Sequence, residues 1–324
     1  MAPRDRYEAG RSSTEPAMRD LDYERIWERV STAANAVCAE CSKHESRARD
    51  ISDIAQSMVE THQSMRSVYS SAGRIEENGE KTGRFADTLL LARPQFDALF
   101  VGLLLAIDYK HWGPIYRKAS WATEAKRAFY VYRRHRSLPT SRNLHSSNLK
   151  KLKTWARGLN LTTQQWVATL AEVRGKELRC GATSKDAIET FPTPGQVMSQ
   201  DTFVGGPYER VAQLIWQQWK FLCDPAHIGM SILVIKGALR HETTLEGTRR
   251  EEYLQQKIVV GAFNPSFVAI LTLLTVLATM LKPDADIRGR VVQAWTDLDE
   301  GTTEGELIWN EWAREALGVM NIGS

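Results

Sequence analysis

The chain has 324 residues, of which 43% are hydrophobic and 25% charged, and its formal net charge is +3. These are ordinary proportions for a globular protein with ample length for a core. Four cysteines, Cys38, Cys41, Cys180 and Cys223, are too few for a disulfide framework. Residues 1–20 lack the apolar stretch of a secretory signal, so export is not expected and a reducing cytoplasm is the expected setting.

Residues 1–19 are polar, contain Pro3 and Pro16, and read as a flexible tail. From Leu21 to about Ser70 a helical pattern runs through Ile26, Val30, Ala33, Ala34 and Val37. This predicts an N-terminal helical arm over residues 20–72. Gly73, Asn78-Gly79 and Gly83 break the pattern and predict a hinge before a body of residues 84–324.

The body opens with residues 85–107, apolar nearly all round, as in a helix at the middle of a bundle. A long helix is expected over 114–136, stopped by Leu138-Pro139. Shorter ones follow near 148–159 and 163–178, the second capped by Thr162 or Thr163. Residues 179–207 hold Gly181, Pro192, Pro194, Gly195 and Gly205-Gly206-Pro207 and predict a long loop. Beyond it, residues 208–223 put Val211, Leu214, Ile215 and Trp219 on one helical face. Further helices are expected near 228–239, 250–281, 287–298 and 305–317. Nowhere does apolar residue alternate with polar over a strand's length, so the fold class is an all-α multi-helix bundle.

Residues 258–281 carry no charge over 24 positions, long enough on paper to cross a bilayer. Asn264-Pro265 divides the run, and the 15 residues from Phe267 to Leu281 would reach only about 22 Å of a roughly 30 Å hydrocarbon core. Thr272, Thr275 and Thr279 give that helix a mildly polar face. A buried core helix, with no membrane partner, is the expectation.

Charge is distributed unevenly. Between Lys110 and Gly158 stand thirteen Lys and Arg and a single acidic residue, Glu124. The excess on so short a stretch suggests a phosphate-bearing partner. Lys126, Arg127, Arg133, Arg134, Arg136, Arg142, His145, Lys150, Lys151 and Lys153 are the candidate nucleic-acid-binding residues. Trp112, Tyr116, Trp121, Phe129, Tyr130, Tyr132 and Trp155 interleave with them, and exposed rings of this kind stack on unpaired bases. Two plainer uses compete. Aromatics at helical spacing usually face a core, and the cations could dock an acidic protein or pair with acidic residues such as Asp297, Asp299 and Glu300.

Two other clusters bear on chemistry. Arg93 and Asp97 lie one helical turn apart in an apolar stretch, with Pro94 between them. Desolvation makes either charge costly alone, so they read as a mutual ion pair or as the edge of a polar pocket. Asp224 and His227 flank Pro225 around an expected turn, either as an acid–base pair or as cap and structural histidine. A hydrolase would centre on Arg93, Asp97, Asp224 and His227. Cys38, Cys41 and His44 have the spacing of half a zinc site, with no second close pair to complete it. No metal or other cofactor is expected.

Leu90-Leu91-Ala92-Arg93-Pro94-Gln95-Phe96-Asp97 resembles the Arg-x-x-x-acidic central helix of a bacterial all-helical family with a HEPN-like bundle. The helix ending in Leu222-Cys223-Asp224-Pro225-Ala226-His227 is similar to that family's helix closing on a His. The resemblance spans about residues 85–241. It implies that Arg93, Asp97 and His227 converge inside the bundle, and that the protein sits near toxin, defence and RNA-processing proteins. Active HEPN ribonucleases carry Arg, four to six residues, then His; none of the seven histidines here has an Arg so placed. The expectation is therefore a cytoplasmic, nucleic-acid-associated protein, with RNA before DNA, non-catalytic or cryptically catalytic, and able to self-associate as a homodimer. A scaffold for an acidic protein partner, or the hydrolase above, are the alternatives.

Overall fold

A computed structural model of the chain describes residues 20–72, 85–135, 137, 139–174, 182–226 and 262–301. Among these residues there are ten α-helices, one 3-10 turn and no strand. The helices are α1 (Asp20–Cys41), α2 (Ser46–Ala72), α3 (Phe85–Ile107), α4 (Tyr109–His135), α5 (Pro139–Gly158), α6 (Thr163–Arg174), α7 (Pro194–Ser199), α8 (Glu209–Ala226), α9 (Asn264–Leu281) and α10 (Ala285–Glu300). The all-α multi-helix class is thereby established. The hinge at 73–83 and the helices expected near 228–239 and 305–317 lie outside the described residues.

The chain forms two compact units. The first comprises Met1–Lys43, Ser52–Leu99 and Arg210–Ser324, and the second His44–Ile51 and Phe100–Glu209.

In the first unit α1 packs on α9 and α10. Ile26, Val30, Ala33, Ala34, Val37 and Cys41 of α1 are all fully buried, at the three- and four-residue spacing that keeps them on one face. Two ion pairs join α1 to α10: Arg29 to Asp297 at 3.1 Å and Arg25 to Glu300 at 3.3 Å. Gly301 ends α10 where a Cβ would come within 2.5 Å of the Ile26 Cδ1, so a larger residue there would have to displace that buried side-chain end.

Helix α9 is buried almost all round. Its threonines are used internally: Thr275 Oγ1 donates to the Leu271 carbonyl at 2.8 Å and accepts from Trp295 Nε1 at 3.0 Å. Residues 90–107 and 264–281 are each apolar and long enough to span a bilayer, yet 56% and 72% of the two windows are buried within the protein. Helices of that kind also form the cores of soluble proteins, and the fold is compatible with one.

In the second unit α4 and α5 form an antiparallel hairpin. Trp121 donates Nε1–H to the Leu152 carbonyl at 3.1 Å, while eleven residues further along α4 Tyr132 meets His145, seven residues earlier on α5. Contacts that advance on one helix and retreat on the other define opposite directions. Trp121, Ala122, Ala125 and Phe129 of α4 form the core with Leu152 and Ala156 of α5 and Leu170 of α6. Thr162 caps α6 as expected: its Oγ1 accepts from Gln165 N–H and its own N–H donates to Gln165 Oε1, both at 3.1 Å.

Two helices start earlier than the sequence pattern predicts. Asp108 caps α4 by accepting from His111 N–H at 3.1 Å, so the helix begins before Pro114 and that proline lies inside it. Helix α5 begins at Pro139, where a fixed φ and a missing N–H suit a first helical position, well before the helix expected near 148–159. The described part of the expected 179–207 loop is anchored too. It contains a 3-10 turn at Ser184–Asp186, α7 and the buried side chains of Val197 and Phe203.

Candidate nucleic-acid interface and a second polar cluster

At 100° per residue, the core side chains Trp121, Ala122, Ala125 and Phe129 of α4 fall within one arc, Lys126 and Arg133 flank that arc, and Arg127, Tyr130 and Arg134 lie on the far side. Arg127, Arg133 and Arg134 are exposed and Lys126 is half-buried. On α5, Lys150, Lys151, Lys153 and Arg157 are all exposed, while Leu152 and Ala156 turn inward. None of the described cations on these two helices is buried. Arg136 and the Arg142 side chain lie outside the described residues.

The seven interleaved aromatics divide. Trp121 and Phe129 are core residues. Trp112 and Tyr116 are half-buried against Phe191. Tyr130 and Trp155 point outward, 56% and 38% exposed, beside Val131 at 43%. Among the described residues the large hydrophobics left exposed are these three and Val204. Three of the four are thus on the cationic hairpin, where burying apolar surface against a partner would be favourable.

Arg134 Nη1 donates to the Tyr130 hydroxyl at 3.2 Å, which orients the ring on the cationic face. Arg127 pairs with Glu124 at 3.0 Å. His145 lies in an aromatic cluster. Its ring is half-buried, stacked on Tyr132 at 3.9 Å with planes 13° apart, and edge-on to Phe129 at 5.0 Å. Beside it a groove of about 190 Å³ opens between α4 and α5.

In the first unit Arg93 and Asp97 do meet, though loosely, with Nε to Oδ2 at 3.9 Å. The residue that sequence reasoning missed is Trp219 of α8. Its Nε1 donates to Asp97 Oδ1 at 2.7 Å, and the Arg93 guanidinium lies over its ring at 5.3 Å. Trp219 stacks on Trp216 at 4.9 Å, and Lys220 lies over Trp216 at 4.8 Å. Cys223 completes the α8 face, its thiol pushed up by burial, with Arg93 opposing and Asp97 adding to the shift. A thiol held protonated is a poor nucleophile. His227 and the Asp224 side chain lie outside the described residues, so of the four hydrolase candidates Arg93 and Asp97 are brought together.

Cys41 is fully buried and its thiol is pushed up to about 12, chiefly by desolvation. Cys38 donates to the Ser52 carbonyl at 3.8 Å. No group of three His, Cys, Asp or Glu side chains suited to a metal ion occurs among the described residues.

A third cluster had no sequence signal. His62 of α2 is fully buried, with Nε2 2.8 Å from the Tyr23 hydroxyl and Nδ1 2.8 Å from Ser266 Oγ. Trp27 stacks on the ring at 4.8 Å and Phe267 tilts against it at 4.3 Å. Burial, with Arg66 nearby, pushes its pKa down to about 3. A neutral imidazole sealed among aromatics joins α1, α2 and α9.

Comparison of the chain with known protein families, curated proteins and solved structures returns no match.

Proposed function

We propose that the α4–α5 hairpin binds a single-stranded nucleic acid, RNA before DNA, and that the protein is a non-catalytic RNA-associated bundle. The observation that carries this reading is the coincidence of two features on one surface. The outer faces of the hairpin hold the exposed cations, and Tyr130 and Trp155 stand uncovered among them. Cations alone would serve a duplex or an acidic protein equally well. Exposed rings interleaved with them suit unpaired bases, whose faces stack on aromatics without regard to sequence. The HEPN-like resemblance of residues 85–241 points the same way and adds bacterial defence as a setting.

The first test is the ratio of absorbance at 260 and 280 nm for the full chain purified at low salt, measured again after a high-salt wash. A raised ratio that falls on washing is the expected result, and the released strand can be sequenced. Protein free of nucleic acid that also fails to retain added single-stranded RNA at low salt would overturn the reading. A partner that stays bound after nuclease treatment would assign the surface to an acidic protein instead.

A further inference from the structure

One flank of the hairpin is indented. On α4, Glu124, Arg127, Val131 and Tyr132 fall at i, i+3, i+7 and i+8; on α5, His145 and Asn148 fall at i and i+3. These spacings place all six along the groove between the helices. Its volume of about 190 Å³ is below the roughly 300–1,000 Å³ of pockets for drug-sized ligands. One small planar ring system suits it.

The lining is chemically divided. Tyr132 and His145, stacked on each other, form an aromatic end, and Val131 supplies apolar surface. Asn148 offers an amide with both donors and an acceptor. Glu124 is the unexpected member. It is the single acidic residue between Lys110 and Gly158, and it stands in the groove. A carboxylate there repels phosphate, so its use on a cationic surface is to accept from N–H donors. Arg127 holds it through two contacts, Nε to Oε2 at 3.0 Å and Nη2 to Oε1 at 3.2 Å. That pairing uses the two convergent lone pairs of the carboxylate, so a ligand with two parallel donors takes the place of Arg127, whose exposed side chain can turn aside.

Among the four RNA bases, guanine alone presents two adjacent donors, N1–H and N2–H, that match the two oxygens of a carboxylate. Its O6 acceptor lies beside them for a donor from Asn148 or Arg127. We propose that the α4–α5 groove binds a guanine base from an unpaired strand, with Glu124 accepting from its Watson–Crick edge. Trp155 lies seven residues beyond Asn148 on the same flank of α5, about 10 Å along the groove at the rise of a helix, and stacks a neighbouring base. The inference rests on the nucleic-acid reading of the hairpin and adds a base preference to it.

The test is fluorescence anisotropy of the full chain with labelled oligouridylate of roughly 12 nucleotides, and with the same strand carrying guanine or adenine at its centre. Guanine is expected to bind about tenfold tighter than adenine or uracil, the discrimination of one good two-point contact. Glu124→Gln removes a negative charge from the cationic surface, so it should bind oligouridylate somewhat more tightly while losing the guanine preference. Circular dichroism of the variant checks that the helices persist, and Asn148→Ala, which leaves the ion pair intact, should weaken the preference independently. The same strands with a deoxyribose backbone separate RNA from any unpaired guanine. Equal affinity for the three strands, or a preference that survives Glu124→Gln, overturns the inference while salt-sensitive binding to oligouridylate leaves the hairpin reading standing. No binding to any strand overturns both.

Discussion

Trp219 donates its indole N–H to Asp97 at 2.7 Å, whereas Arg93, on the same helix as Asp97, stands 3.9 Å from it. The carboxylate is therefore held across two helices more closely than along one. A hydrogen bond to a charged group contributes about 1.5–3 kcal/mol when well buried; with the Asp97 side chain 44% exposed, solvent reduces this to about 1 kcal/mol. Asp97→Ala should lower the urea midpoint accordingly, with Asp97→Asn, which keeps an acceptor oxygen, falling between. If Asp97→Ala unfolds at the wild-type midpoint, the Trp219 contact contributes nothing.

The paired change Arg133→Glu and Arg134→Glu reverses two exposed cations on the outer face of α4. Each phosphate contact removed should reduce the slope of log affinity against log salt by about 0.7 for a single strand. The double variant should therefore bind RNA weakly and with visibly less salt dependence. Arg290→Glu, an exposed change on α10, is the control and should leave the slope where it was. An unaltered slope in the hairpin variant would remove these residues from the binding surface.

Alkylation distinguishes the cysteines. Cys41 is fully buried, and desolvation holds its thiol protonated up to about 12; the thiolate is the reactive form. Iodoacetamide at pH 8 followed by mass spectrometry should leave Cys41 unmodified in the native protein and modify it in urea. Rapid native labelling of Cys41 would mean that α1 opens from α9 and α10 far more readily than its packing implies.

Much of the fold was legible because its cause is local. The α1 stripe from Ile26 to Val37 and the Thr162 cap depend on spacings within one or two turns. The starts of α4 and α5 depart from the sequence pattern for a related reason: Pro114 and Pro139 look like boundaries, yet the Asp108 cap carries α4 back past the first, and the second opens α5. At the interface the cations were legible by counting, but not which rings would be free. Phe129 and Tyr130 are neighbours separated by 100° around the helix, and one is core while the other is exposed. Only the position of α5 and α6 decides between them. His62 was wholly illegible, since its partners Tyr23 and Ser266 lie 39 and 204 residues away.

The sealing of His62 has a consequence for acid stability. The unfolded chain takes up a proton near the ordinary histidine pKa of 6.5, but the folded protein resists until about 3. A depressed folded value means the contribution to stability is complete above pH 6.5 and is lost as pH falls towards 3, because acid protonates the unfolded state first. Between pH 7 and pH 5 this single group should cost about 2 kcal/mol. Other histidines and the carboxylates titrate as well, so the measurement is a difference: urea unfolding at both pH values for wild type and for His62→Gln, which has no proton to gain. The variant should be less stable at pH 7, where Tyr23 and Ser266 have a poorer partner, yet lose about 2 kcal/mol less than wild type on acidification. Parallel losses in the two proteins would mean that His62 takes up its proton in the folded state, and that the aromatic shell of Trp27, Phe263 and Phe267 admits water.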